Sequence, residues 1–376
     1  MMKIEIAPWY NNFVCPVLFM VDELANIAFD APGGDWGYYC FDSGSIYEHL
    51  NKNVLNSFPH VKFTFFLVTG EREVQSSGQY DHVHDCTFGE FPEFLKSLKF
   101  LGHDIGYHGL THGVVQRDKF IQEWDSFSSL EEANISINTG LGLFERGVGV
   151  RASGGKYCGY KKGDYGHESL VSNKFDWWFS DWNDDVSENM YGEFHDDILY
   201  LPSNIDCSMY SCRSTRNMFS KKYFTSIYKQ LRTETLEYKL RFLLENGGII
   251  SLQEHTSPIR TDSITQYPNV INDISNIKYI LDIIVKYDVW WCTASELTQY
   301  IRCKNSVSIV SDGVLFSFLS ENEDVSFTEG SFVSLLFDIN VVVSLGDESY
   351  FSVKIDEIFV VNVPVYLTKT YHIGVV

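Results

Sequence analysis

The sequence predicts an α/β domain built on a mostly parallel sheet, followed by a small all-β domain, and three observations carry that expectation. Short apolar runs rich in aromatic and β-branched residues alternate with segments whose apolar residues recur at helical spacing. The alternation continues for about 300 residues and ends near Lys304. Beyond it the chain offers only short alternating strands.

The first unit is VLFMV (17 to 21) and KFTFFLV (62 to 68) as strands, with SIYEHLNKNVLNSF (45 to 58) as the helix between them. A strand, a crossover helix and a second strand imply parallel pairing. FPEFLKSLKFLG (91 to 102) then reads as a helix, HDIGYH (103 to 108) as a strand, and the stretch from Gln116 to Asn138 as helical. VGVR (148 to 151), FDWWFS (175 to 180) and ILYLP (198 to 202) are strand candidates, and TETLEYKLRFLLEN (233 to 246) is a helix. GGIISLQEH (247 to 255) reads as another buried strand, NIKYILDIIVKY (276 to 287) as a helix and DVWWCT (288 to 293) as a short strand. The pattern suits a barrel or a doubly wound sheet, and periodicity does not choose between them.

Residues 305 to 376 read as strands SVSIV, VLFSFL, FVSLLF, INVVVS, YFSVKI and VVNVPVYL, with Asp312-Gly313 as a hairpin turn. We therefore divide the chain into 1–304 and 305–376. The second piece carries ten acidic residues against Lys354 and Lys369, a net charge of −8. So small a sandwich is marginal alone and is expected to pack on the first domain or on another subunit. It is a structural appendage, a carbohydrate-binding module or the contact of a homo-oligomer.

The 376 residues carry a net charge of −21, and no Lys/Arg cluster interrupts the acidic background, which excludes nucleic acid and anionic lipid as natural partners. Twenty-eight Phe, 22 Tyr and 8 Trp are enough to fill a core and still line a groove for amphipathic sugar faces. The N-terminus has no long apolar run behind a basic head and reads as a strand, and no stretch approaches the roughly 20 apolar residues of a membrane span. Eight cysteines are scattered without CxxC pairs, so a reducing, cytoplasmic setting is expected. Cys207 and Cys212 lie close in sequence, but no second pair joins them to make a zinc site.

The chemistry gathers at the ends of the α/β strands. Asp22 and Glu23 close the first strand, on the rim where α/β enzymes place their sites. His108 and His112 in YHGLTHG follow a later strand, at a spacing that lets both imidazoles reach one ion. Two nitrogens and a carboxylate oxygen, with positions left for water, compose a catalytic metal site, zinc being the first choice. Such an ion suits amide hydrolysis.

The order of these motifs resembles the polysaccharide deacetylase (NodB-homology, carbohydrate esterase family four) family. Its TFDD motif is similar to MVDE (Met20 to Glu23), and its HSxxH or HTxxH motif is matched in both histidines by HGLTH (108 to 112). RxPYG resembles RASGG (151 to 155), the Asp-Trp pair resembles Asp181-Trp182, and LxH resembles ISLQEH. The resemblance spans about residues 15 to 300. It implies a distorted (β/α)7 barrel, Asp22 as general base, Glu23, His108 and His112 as metal ligands, Arg151 holding the base, and His255 as general acid oriented by Asp181. Trp182 and Trp178 would wall the acyl pocket. Glu23 stands where the family has Asp, the third motif lacks its Pro, and two residues separate Leu252 from His255 where the family has one. Asp22 is thus an alternative ligand, with Asp35 in GGDWG as an alternative base.

The implied activity is metal-dependent removal of an acetyl or formyl group from an amino sugar, nucleotide-linked, lipid-linked or in an oligosaccharide, during surface-polysaccharide synthesis. A non-catalytic carbohydrate-binding protein and an amidohydrolase acting on a non-sugar amide are the rivals.

Overall fold

Nine consecutive buried residues, Pro16–Leu24, form the strand around which the α/β unit is built, β1. A strand covered on both faces needs an unbroken apolar run, and Pro-Val-Leu-Phe-Met-Val supplies one. In the computed structural model the residues described are 3–24, 30–31, 34–35, 46–70, 92–117, 119–210, 235–256, 268–320 and 331–376.

Along the main path of this sheet lie β2 (Phe63–Leu67), β3 (Asp104–Tyr107), β4 (Gly154–Lys156), β5 (Trp177–Phe179), β6 (Glu193–His195), β7 (Ile198–Tyr200), β8 (Ile205–Asp206) and β9 (Ile250–His255). Their order is β6-β7-β5-β4-β3-β2-β1-β9-β8. The ladders β1 to β2, β2 to β3, β4 to β5 and β1 to β9 are parallel, and along this order of described strands only β6 runs antiparallel to its neighbour. All the parallel strands therefore end on one rim, the usual ligand edge of such sheets.

Two registers on that rim position the site. Asp22 of β1 stands directly opposite His255 of β9. On its other side β1 pairs Val21 with Phe65 and Leu24 with Leu67, so Asp22 and Glu23 together face Phe66 alone. That extra residue is a β-bulge, and Glu23 takes the left-handed φ of 65° that it requires. Strict alternation would send adjacent carboxylates to opposite faces, and a bulge re-aims one of them.

The helix expected from Gln116 to Asn138 is not there as such. Gly113–Gln116 and Lys119–Gln122 pair as an antiparallel hairpin, turning at Arg117 with φ 49°, and a short helix, Glu123–Ser126, follows. Val114, Val115, Phe120 and Ile121 favour strand over helix. The long helix is Leu130–Val148, opened by Ser129, whose side chain accepts from the amide of Glu132, and closed by Gly149 at φ 89°. Its last residue, Val148, takes up the start of VGVR, so the strand expected at 148 to 151 forms instead at Gly154–Lys156.

Chain contacts group Val17–Tyr287 with Trp291–Ser295 as the α/β unit, and Met1–Pro16, Asp288–Trp290 and Glu296–Val376 as a second unit. The sequence division at 304 differs because the N-terminal strand Ile4–Ile6 pairs antiparallel with Phe332–Phe337. The second unit has two antiparallel sheets, one ordered Ile4–Ile6, Phe332–Phe337, Ile358–Pro364, Val353–Ile355. The other runs Ser308–Ser311, Leu315–Leu319, Thr370–Val375, Val341–Leu345, Glu348–Phe351. Asp312 Oδ1 accepts from the amides of Val314 and Leu315, making the expected turn.

Candidate functional site

The rim of the sheet buries an ion-pair network. Asp22 is 2% exposed, and its Oδ2 accepts from Lys156 Nζ at 2.6 Å and from Gln253 Nε2 at 3.3 Å, with His255 Nε2 at 3.7 Å. Burial alone would raise the Asp22 pKa, but the Lys156 ammonium, with His108 and His255, more than offsets it and holds the carboxyl below its usual range. Burial likewise works to lower Lys156, and Asp22 foremost reverses it, so the ammonium stays charged. Tyr160 lies under that ammonium, 4.4 Å from Nζ to ring centroid, and its hydroxyl donates to Gln253 Oε1. Asp22 Oδ1, by contrast, is buried and accepts no hydrogen bond.

Lys156 occupies the place that the sequence assigned to Arg151. Arg151 is exposed and donates to the carbonyl of Asn173 at 3.0 Å. The reason is strand direction: Arg151 precedes β4, at the end away from the rim, whereas Lys156 closes it. Asp181 does not orient His255 either. It is exposed and accepts from Ser180 Oγ, while His255 Nδ1 donates to the carbonyl of Pro268 at 2.7 Å, which turns Nε2 toward Asp22. Trp178 is fully buried between Phe175 and Tyr157, a core ring and not a pocket wall. Trp182 is half-buried, its ring 6.3 Å from that of Tyr160, next to the network. The side chain of Asp35 lies outside the described residues.

The two histidines do come together, with ring centroids 5.1 Å apart, and both are buried. His108 Nδ1 donates to the carbonyl of Lys156 at 2.9 Å, leaving Nε2 as the lone-pair nitrogen. Burial pushes its pKa down to about 4, so near neutral pH it is the uncharged imidazole that a metal needs. One nitrogen from each histidine and Cys158 Sγ lie within 4.8 Å of one another. Among the described residues that is the group of donors gathered tightly enough for one ion. Glu23, expected as the carboxylate ligand, places Oε1 3.4 Å from His112 Nε2. A pair of imidazoles, a thiol and a carboxyl, beside an Asp22 oxygen that bonds nothing, suit a borderline-soft divalent cation such as zinc.

The loop carrying the histidines is held by Glu123, which the sequence did not single out. Its buried carboxylate accepts from the amides of Leu110, Thr111 and His112 at 2.9 to 3.0 Å, and from Ser136 Oγ of the long helix at 3.1 Å. Burial raises its pKa, and those amides work against the rise. Gly109, at φ 87°, must be glycine, since a Cβ there would lie 2.3 Å from Glu123 Oε2. Lys156, Tyr160, Gln253 and Cys158 were also unmarked. Only Lys156 left a signal, as the residue ending the strand that RASGG begins.

No protein-family model matches the chain. No curated protein matches it in sequence. Solved structures do match. A protein assigned as a polysaccharide deacetylase from Mycobacterium smegmatis is 16% identical over 80% of this chain and 96% of that one, with a TM-score of 0.50. The PuuE allantoinase shares 14% identity over 78% and 93%, with a TM-score of 0.48. A protein assigned as a polysaccharide deacetylase from Pseudomonas aeruginosa PAO1 shares 13% over 78% and 93%, at 0.47. The first of these carries the likeness, which is one of fold: the chain has the α/β fold of the polysaccharide deacetylases.

Proposed function

We propose that the chain is a metal-dependent hydrolase that removes an acetyl or formyl group from the nitrogen of an amino sugar. The observation that carries this is the buried meeting of His108 and His112 beside Asp22 and Lys156, on the ligand edge of a parallel sheet. His108 and His112 would hold the ion, with Cys158 and Glu23 as further donors within the same rim. When bound, it would polarise the acyl carbonyl and lower the pKa of water.

The chain's own groups supply the rest. Lys156 and Gln253 fix Asp22 by Oδ2, so Oδ1 is the atom that takes the proton of the attacking water. His255, its ring set by Pro268, presents Nε2 to the same space and protonates the departing amine. Trp182 and Tyr160 offer aromatic faces to a sugar ring. Lys156 is already neutralised by Asp22, so the site itself has little attraction for a polyanion, in keeping with the overall charge of −21.

We place the protein in the cytoplasm, on a nucleotide- or lipid-linked amino sugar of surface-polysaccharide synthesis, with an all-β domain that binds carbohydrate or pairs subunits. Among the described residues the buried thiols of Cys15, Cys207 and Cys303, outside any disulfide, support a reducing compartment. Among the described residues no helix is long and apolar enough to cross a membrane.

The test is acetate and formate release from a panel of N-acylated sugar nucleotides, lipid-linked sugars and small amides, by zinc-loaded protein and by Asp22→Asn. Release from a sugar substrate, reduced by about 10²- to 10⁴-fold in the variant, is expected. Release only from non-sugar amides, or from nothing while the sugar still binds, would overturn the proposal in favour of an amidohydrolase or a binding protein.

A further inference from the structure

The metal reading leaves its third protein ligand open between a thiol and a first-strand carboxylate. The geometry points to Cys158 as that ligand, beside His108 and His112, giving a thiolate-bearing site that selects zinc over magnesium, manganese or calcium. This rests on the proposed metal dependence and adds the identity of the donor set.

Three facts carry it. The donor atoms of His108, His112 and Cys158 already lie within 4.8 Å of one another, with all three side chains buried. A tetrahedral ion with bonds of about 2.0 to 2.3 Å holds its donors roughly 3.5 Å apart, so a small rotamer adjustment completes the site. The first-strand carboxylates have other work: Asp22 Oδ2 is taken by Lys156 and Gln253, and Glu23 Oε1 faces the His112 ring, as a carboxylate that orients a ligating imidazole does.

The backbone explains why one short segment reaches both halves of the site. Lys156 ends β4, and the chain folds back at Cys158–Tyr160 with Gly159 and Tyr160 at φ 56° and 57°. Lys156 thereby meets Asp22, Tyr160 packs on that ammonium, and Cys158 lies against the histidine loop, its Sγ 3.2 Å from the carbonyl of His108. On coordination the S–H bond is exchanged for a sulfur–metal bond and the thiol proton passes to solvent. Thiolate donors favour zinc, whereas magnesium, calcium and manganese favour oxygen.

The test uses the full chain loaded with cobalt(II) or zinc, with Cys158→Ser and Glu23→Gln for comparison. Bound cobalt should show its visible ligand-field bands together with a near-ultraviolet sulfur-to-cobalt charge-transfer band. Cys158→Ser should lose the charge-transfer band and weaken zinc binding by at least about tenfold, while Glu23→Gln keeps the band. Should Cys158→Ser not fold, zinc X-ray absorption of the unaltered protein decides, through one sulfur at about 2.3 Å. Ligand-field bands without charge transfer, a band that survives Cys158→Ser, or a zinc shell without sulfur would overturn the Cys158 assignment alone. Failure to bind cobalt or zinc at all would instead remove the metal reading beneath it.

Discussion

The α/β unit and the second unit, whose core lies between two antiparallel sheets, bury their interiors in opposite ways. The first encloses Asp22, Glu23, His108, His112, Glu123 and Lys156. Among the described residues of the second, the buried polar side chains are, besides tyrosines, the hydroxyls of Thr298, Ser331 and Ser334, and its core is Phe316, Phe318, Val333, Leu335, Val361 and their apolar neighbours. Burying a charge costs several kcal/mol unless it is paired, whereas each fully buried large apolar side chain contributes about 1.5 to 3 kcal/mol. The contrast teaches that packing alone accounts for the β unit. The α/β unit carries a polar interior that packing does not require, gathered where its strands end.

The sharpest way to break this contrast is to unpair its deepest charge. Lys156→Met leaves the Asp22 carboxylate buried without its ammonium, and removing one partner of a buried pair costs about 3 to 5 kcal/mol. Chemical denaturation should show that loss, and the double variant Asp22→Asn, Lys156→Met should recover part of it, because no isolated charge remains. A single-variant loss below about 1 kcal/mol would mean that water reaches the pair and that the interior is less polar than described.

What the sequence disclosed follows the same division. Buried parallel strands announce themselves as apolar runs, so β1, β2 and β9 were legible, and so was the histidine pair, because its spacing is itself a signal. Glu23 was read as a ligand without the bulge that aims it, since no glycine marks that left-handed turn. The RASGG motif points to Arg151 because a motif fixes residue types, while the direction of β4 brings Lys156 to the rim instead. The resemblance implies Trp178 as a pocket wall, but the Gly154-Gly155 pair inside RASGG is room for tryptophans. A Cβ at Gly154 would lie 2.0 Å from the Trp177 ring, and one at Gly155 2.6 Å from that of Trp178. Cys158 had no companion in sequence, and only the fold supplies its partners.

Acid sharpens the comparison next. His103, buried in the α/β unit, accepts from the amide of Phe63 on Nδ1, and burial, with Lys62, pushes its pKa from 6.5 to about 4. The folded state therefore keeps this imidazole neutral while the unfolded chain takes up a proton below 6.5. Its stabilising contribution is present above pH 6.5 and is lost as pH falls through about 4, on the order of 3 kcal/mol in all. Denaturation midpoints between pH 7 and pH 4 should fall, and His103→Gln should flatten that slope. An unchanged slope would show that His103 is not the group responsible.

The smallest effect belongs to the β unit, where one hydroxyl can be removed without touching a charge. Tyr371 is fully buried, its ring 4.7 Å from that of Phe316 and nearly parallel to it. Its hydroxyl donates to the carbonyl of Pro364 at 2.5 Å and accepts from the amide of Tyr366 at 3.1 Å. Tyr371→Phe keeps the stacked ring and leaves those two backbone groups short of a partner. The expected cost is therefore about 1 to 3 kcal/mol, set by desolvated backbone rather than by lost packing. Because no ionised group takes part, this cost should be the same at pH 5 and pH 7, unlike that of His103→Gln, and acyl release at a temperature below the transition should not change. A pH-dependent cost would place a charge inside the β core and erase the difference between the two units.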